Sequence, residues 1–154
     1  MTAIRVYEVD ASEAGAVKKL LTYDPYLDPN LIPKLPDIDE KERAKLPPEK
    51  QKEIADLEKK ASEASKKLRE DKFMNVIFAR QECDMRDARS IGVESDKSYL
   101  WIRATDEWLN LAEERFKAQF KGVKRASPDI EKKFIAMKED EESRANAGFG
   151  SIFG

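Results

Sequence analysis

The chain has 154 residues, and its 29 basic and 31 acidic side chains give a net charge of −2. A surface this charged and this nearly neutral argues against binding driven mainly by phosphate charge, although a local basic patch stays open. The chain has no histidine and a single cysteine, which excludes Ser-His-Asp triads, Cys-His dyads and His- or thiolate-rich metal sites within one chain.

These exclusions leave carboxylate and lysine chemistry open, so an enzyme ranks third among the function classes. We expect no catalytic activity, no metal and no cofactor. Cys83 lies between Glu82 and Asp84, whose charges raise a thiol pKa, and we expect it to be a buried structural residue. The sequence shows no signal peptide and no apolar run near 18 residues, which predicts a cytoplasmic protein without a membrane partner.

The first elements are a strand and a helix. Residues 3–9 alternate apolar and polar side chains, which predicts a strand. Asp10 and Glu13 form a D-x-x-E capping pattern, which predicts a helix that ends near Thr22.

A proline-rich segment follows at residues 23–48, with six of the seven prolines. Proline fixes its own φ and restricts its predecessor, so we expect an extended strap. The strap is more apolar than a linker, with Tyr26, Leu27, Leu31, Ile32, Leu35 and Ile38. Two interpretations stay open: these side chains cover the protein's own core, or they lie in a partner's groove, with Tyr26, Leu31 and Ile32 as candidate contacts.

A long helix is predicted from Pro48 to about Asp71. Its apolar residues recur at spacings of 3, 4, 3 and 4, at Ile54, Leu57, Ala61, Ala64 and Leu68. The spacing forms about two heptads, which indicates a seam for a second helix. The helix that packs on this seam lies in the same chain, in a partner protein or in a second copy of this chain.

The middle of the chain predicts an antiparallel meander of three strands. Residues 73–84 favour a strand through their β-branched and aromatic content, with a helix as the alternative. Residues 89–93 form the second candidate strand, and residues 99–103 the clearest one. The N-terminal strand is an open candidate for the edge of this sheet.

Two more helices complete the expected fold. Thr105 is predicted to cap the first, with Gly122 just past its C-terminus, and Pro128 to begin the second. Because no large apolar residue follows Met137 until Phe149, the second half of the last helix is expected to leave the core. The sequence therefore predicts a single α+β domain at 1–145, with a small antiparallel sheet and about four helices, and a tail at 146–154.

The glycine-rich tail carries Phe149, Ile152 and Phe153 directly after an acidic run at 139–142. These side chains need an apolar surface, either of this protein or of a partner. Together with the strap, they favour a non-catalytic interaction protein, an adaptor or accessory subunit of a larger assembly. The protein partner is a different chain of that assembly or a second copy of this chain.

The alternative function is an RNA- or ribosome-associated protein. Aromatic and arginine side chains on one sheet face can hold single-stranded RNA, and a basic cluster lies near Gly122. The candidate residues are Arg80, Tyr99, Trp101, Arg103, Lys121, Lys124 and Arg125. The competing interpretation of Trp101 is a core residue.

Overall fold

The computed structural model describes the backbone of residues 1–153 and the side chains of residues 1–148. The chain divides into two compact units. We call residues 24–77 the strap unit, and Met1–Tyr23 together with the chain from Phe78 onward the sheet unit. The single domain expected for residues 1–145 stays a prediction.

The sheet unit contains one antiparallel sheet of four strands. They are β1 (Thr2–Val9), β2 (Glu82–Asp87), β3 (Ser98–Thr105) and β4 (Val123–Arg125), in the order β2-β3-β1-β4. The predicted α+β class and antiparallel sheet are confirmed. The N-terminal strand lies inside the sheet, between β3 and β4, and not at its edge.

Five α-helices accompany the sheet. They are α1 (Ala14–Thr22), α2 (Glu40–Ala44), α3 (Pro48–Glu70), α4 (Asp106–Gln119) and α5 (Pro128–Phe153). In the sheet unit, the order β1-α1-β2-β3-α4-β4 with its strand order is the split βαβ arrangement. The strap unit is inserted between α1 and β2. Because this arrangement carries many unrelated functions, it does not define this one.

Different helices cover the two faces of the sheet. Val6 of β1 lies opposite Trp101 of β3, and both pack with Phe134 of α5. The next residue along β1, Tyr7, points to the other face, where its ring lies 5.2 Å from that of Phe116 in α4. α5 therefore covers the face that carries Trp101.

Two of the three predicted meander strands differ in the structure. Phe78–Arg80 is a 3-10 turn, and β2 begins only at Glu82. Ala88–Ile91 is a second 3-10 turn, ended by Gly92 at φ 77°. Residues three apart in a 3-10 turn share a side, and Ala88 and Ile91 are both buried. Ile91 therefore reaches the core from a turn, and the strand predicted at residues 89–93 is wrong.

The last helix also differs from the prediction. It does not leave the sheet after Met137, because Lys138, Glu141 and Glu142 form ion pairs with β2 and β3. Its backbone continues to Phe153, through most of the predicted tail. A pattern of apolar residues cannot detect a helix that charged side chains hold.

The strap unit contains α2, α3 and a 3-10 turn at Pro25–Leu27. Residues 33–39 have no regular secondary structure, as the prolines predict. The predicted long helix is confirmed to within a residue, with Pro48 at its start. The Gln51 side chain donates a hydrogen bond to the Leu46 carbonyl oxygen at 2.8 Å, which fixes the turn from α2 into α3.

Gly122 allows a close approach in the sheet unit. Gly122 lies beyond Phe120, the C-cap residue of α4, and among the described glycines the positive φ is at Gly92. The Gly122 N–H donates to the Glu13 carboxylate, and its carbonyl oxygen accepts from the Asp10 N–H at 2.8 Å. A Cβ at position 122 would lie 2.5 Å from the Asp10 Cβ, so only glycine fits without a shift of the backbone.

Replacing Gly122 by alanine is expected to lower the free energy of unfolding by about 1–2 kcal/mol, through overpacking. Gly15→Ala is the matched control: a Cβ there meets nothing within 4 Å, and alanine in a helix gains about 0.5–1 kcal/mol over glycine. Urea unfolding followed by circular dichroism measures both. Equal effects of the two substitutions would contradict the role of the close approach.

Candidate interaction surfaces

The strap unit exposes four large aliphatic side chains. Leu27 is 81% exposed, Leu35 43%, Leu31 40% and Ile38 36%. A single exposed leucine needs no explanation, but four large aliphatic side chains exposed within twelve residues are unusual for a surface segment. We call Leu27, Leu31, Leu35 and Ile38 the strap surface.

Hydrogen bonds hold the start of the strap against the end of α3. The Asp24 carboxylate accepts from the Tyr26 N–H at 3.0 Å, and the Tyr26 hydroxyl donates to Asn75 Oδ1 at 2.6 Å. The Asn75 amide in turn donates to the Leu68 carbonyl oxygen at 2.8 Å. Leu27 therefore projects from an anchored turn and not from a loose linker.

A small groove adjoins the strap surface within the strap unit. Its volume is about 290 Å³, and it is lined by Leu31, Ala64, Lys67, Leu68, Asp71 and Met74. Two of these, Ala64 and Leu68, belong to the predicted heptad seam. The turn Pro25–Leu27 packs on α3, so part of the surface proposed for a second helix faces the chain's own strap.

The predicted partner contacts fall into three groups. Leu31 belongs to the strap surface, whereas Tyr26 and Ile32 are half-buried. The side chains of Phe149, Ile152 and Phe153 lie outside the described residues. The most exposed member of the strap surface, Leu27, was not among the candidate contacts. The sequence around Leu27 carries no signal of this exposure, because the 3-10 turn determines which of the turn's side chains points outward.

The aromatic residues proposed to stack on RNA are core residues. Tyr99 is 2% exposed and Trp101 is not exposed, because α5 covers this face. Stacking needs an open ring face, so the two rings cannot stack on bases in this structure. Phe78 and Arg80 lie in a 3-10 turn and so do not form the predicted strand face.

The proposed basic residues are largely paired with acids. Lys124 Nζ lies 3.4 Å from Glu8, and Arg125 contacts Glu131 at 2.6 Å. At Lys121 the backbone N–H, and not the side-chain ammonium, donates to Glu13 at 3.2 Å. The nearby carboxylates therefore offset the charge of Lys124 and Arg125. The binding of this cluster to RNA stays a prediction.

Charged side chains join α5 to strands β2 and β3. Lys138 Nζ lies 2.9 Å from Asp84, and Arg86 donates to both oxygens of Glu141 at 2.6 and 2.8 Å. Arg86 also contacts Asp84 at 2.9 and 3.1 Å. Arg103 lies 3.4 Å from Glu142 and 3.2 Å from Glu82 of β2. We call these seven residues the ion cluster.

The ion cluster shifts the pKa of two of its carboxyls. Burial alone would raise the pKa of Asp84, but hydrogen bonds from Arg86 and Lys138 outweigh it and lower this pKa. The hydrogen bonds from Arg86 lower the pKa of Glu141. Both acids are thus held ionised.

The single thiol is unsuited to nucleophilic chemistry. Burial, with the nearby charge of Glu82, raises the pKa of the Cys83 thiol to about 12. Its sulfur lies 3.6 Å from the Phe78 carbonyl oxygen. The thiolate, which is the reactive form, is therefore scarce at neutral pH.

Two further features of the described part of the chain concern metal ions and the membrane. There, no group of three or more Cys, Asp or Glu side chains is placed to hold a metal ion. None of the helices within residues 1–153 is both long and apolar enough to span a bilayer.

The fold and these surfaces define an α+β protein in which a split βαβ sheet carries an inserted helical strap unit. Protein-family models, curated proteins and solved structures were all compared with this chain, and none matches it.

Proposed function

We propose that this chain is a non-catalytic interaction protein, an adaptor or accessory subunit, whose strap surface docks into an apolar groove of a protein partner. The observation that carries the proposal is the exposure of Leu27, Leu31, Leu35 and Ile38 on a segment with several prolines.

The physical reason is that the backbone of the strap is already restrained before it binds. Pro33 and Pro36 fix φ on either side of Leu35, and the 3-10 turn fixes the backbone at Leu27. A preorganised segment loses less conformational entropy when it binds. Full burial of one leucine side chain contributes about 1.5–3 kcal/mol, so two or three such anchors support specific binding.

The charges around the strap indicate the rim of the partner's groove. Asp37, Asp39, Glu40 and Glu42 are all exposed near Ile38. Complementary charge around an interface favours encounter and selects partners. We therefore expect basic residues beside an apolar, aromatic-lined groove, as in proteins that bind extended proline-rich segments.

Phe149, Ile152 and Phe153 are proposed as a second contact, on the evidence of the sequence alone. Their partner is the same assembly or another copy of this chain. The two contacts are testable separately, because the strap and the C-terminal residues can be substituted independently.

The strap contact is tested by site-specific photo-crosslinking of the full chain in its own cells. A photoreactive residue replaces Leu27 or Leu35 in turn, and exposed Lys52 of α3 is the control position. We expect the same partner to be crosslinked from positions 27 and 35 and not from position 52.

The identified partner is then titrated with purified variants. The double substitution Leu27→Ser and Leu31→Ser is expected to weaken binding about tenfold or more. The matched control replaces Asn30 and Lys34, exposed polar neighbours, by serine and leaves binding within about twofold. Equal affinities of the two double variants would exclude the strap surface as the contact.

A further inference from the structure

The two halves of α5 contact the sheet by different physical means. In the first half, Phe134 is buried in the core, and Ile130 and Met137 pack against the same cluster. Beyond Met137, the described contacts with β2 and β3 come from charged side chains, Lys138, Glu141 and Glu142. The side chains of Lys138 and Asp84 are 18% and 22% exposed, so this ion pair belongs with the anchored part of α5. We call residues 139–148 the acidic arm.

These contacts are weak enough to be reversible. Glu141 and Glu142 are both nearly half exposed, and exposed ion pairs contribute little and are screened by salt. The buried anchor at Phe134 does not depend on them. The acidic arm can thus separate from the sheet while the first half of α5 stays in place.

The surface beneath the arm is suited to binding carboxylates. Arg86 presents two N–H groups to one carboxylate, and Asp84 holds the same guanidinium at 2.9 and 3.1 Å. Arg103 lies 5.0 Å from the ring centroid of Trp101. A fixed guanidinium is the group that binds a carboxylate through two parallel hydrogen bonds.

We propose that Arg86 and Arg103, beside Trp101, form a docking site for an acidic peptide of a protein partner, and that the acidic arm occupies this site when the partner is absent. The expected ligand carries two adjacent carboxylates on a helix, as the arm does with Glu141 and Glu142. This site lies in the sheet unit and does not rest on the strap surface.

The charges around the two arginines favour a peptide over a nucleic acid. Glu82 and Asp84 stay beside Arg103 and Arg86 when the arm leaves, so the site has almost no net positive charge. A polyphosphate chain gains its affinity from many uncompensated cations. A short peptide needs only the two oriented guanidinium groups.

The arm competes with the partner because it is part of the same chain. Such tethering gives it an effective concentration in the millimolar range. A partner peptide must therefore outcompete the arm, and any change that opens the arm strengthens binding. The site is thereby autoinhibited.

The experiment uses the full chain with Glu141→Gln and Glu142→Gln, which removes the arm's carboxylates from the site. The control variant carries Glu139→Gln and Asp140→Asn. It changes the net charge equally at exposed positions, and Asp140 pairs within the helix, with Arg144. The probe is a capped synthetic peptide of residues 136–148, titrated by NMR.

We expect the peptide to bind the first variant about tenfold more tightly than the wild type or the control variant, and more weakly as salt rises. Backbone amides in the arm should exchange roughly threefold to tenfold faster in the first variant, with those of residues 129–137 unchanged. A peptide with glutamine at both positions should not bind.

Three results would overturn the proposal. They are equal binding by all three proteins, absence of binding to the first variant, and displacement of the peptide by single-stranded RNA at lower concentration than by the free peptide itself. Substitutions in the strap surface should leave exchange in the arm unchanged, so the failure of one proposal is distinguishable from the failure of the other.

Discussion

Replacement of Phe134 by alanine is expected to lower the free energy of unfolding by about 3–5 kcal/mol. Phe134 is fully buried, and it packs in one cluster with Val6, Trp101, Ala88 and Ile91. Its ring is the largest apolar group that α5 contributes to this cluster. Truncation removes the ring's burial and leaves a cavity between the helix and the sheet.

The measurement is urea unfolding of the full chain, followed by circular dichroism. Phe134→Leu fills part of the cavity and should cost clearly less, while Lys132→Ala, at an exposed position of the same helix, should stay within about 0.5 kcal/mol of the wild type. A loss below 1 kcal/mol for Phe134→Ala would mean that α5 is not anchored by its apolar half.

The elements that the sequence predicted well carry local signals. Thr105 begins α4 because its side chain accepts a hydrogen bond from the Trp108 N–H at 3.2 Å. The residues that form such a cap lie within four positions of the sequence. Pro48 begins α3 for a similarly local reason, its fixed φ. Strand β3 was recognised because it is long and its interior is apolar.

The elements that were missed depend on distant residues. β4 has only three residues, and it is a strand because Val123 and Arg125 pair with Val9 and Tyr7 of β1. Local propensity cannot specify such a pairing. The same holds for the ion cluster, because Arg86 and Glu141 are 55 positions apart, and charged patterns are normally those of solvated faces.

The candidate sites show the same division. Composition marked residues 23–48 as apolar and proline-rich, and Leu31 is exposed in the structure, while its role in docking stays a prediction. Whether Trp101 was an open platform or a core residue depended on α5, which approaches from the far end of the sequence. No pattern around Trp101 itself contains that information.

Replacement of Glu131 by alanine is expected to lower the free energy of unfolding by about 2–3 kcal/mol. Glu131 accepts from the buried backbone N–H of Val6 at 3.1 Å and from Arg125 at 2.6 and 2.8 Å. One carboxylate thus joins the first turn of α5 to β1 and β4. Alanine leaves the Val6 donor without its acceptor, and an unsatisfied buried donor costs more than the bond contributes.

Glu131→Gln separates the hydrogen bond from the charge. The amide oxygen can still accept from Val6, whereas the ion pair with Arg125 is lost, so the cost should be clearly smaller than for alanine. Thermal and urea unfolding at neutral pH compare the two. Equal costs would show that the ion pair with Arg125, and not the Val6 hydrogen bond, accounts for the loss.

The pH dependence gives an independent test of the same carboxylate. Burial alone would raise the pKa of Glu131, but hydrogen bonds from Arg125 and Val6 outweigh it and lower this pKa. A carboxyl with a lowered folded-state pKa stabilises the fold above its unfolded pKa, near 4.3, and loses that contribution as the pH falls through its folded-state value. The gap in unfolding free energy between wild type and Glu131→Gln should therefore shrink as the pH falls from about 6 to below about 4.

Asp84 and Glu141 titrate in the same direction in both proteins, so their contribution cancels in this difference. A gap independent of pH would contradict the role of the ionised Glu131.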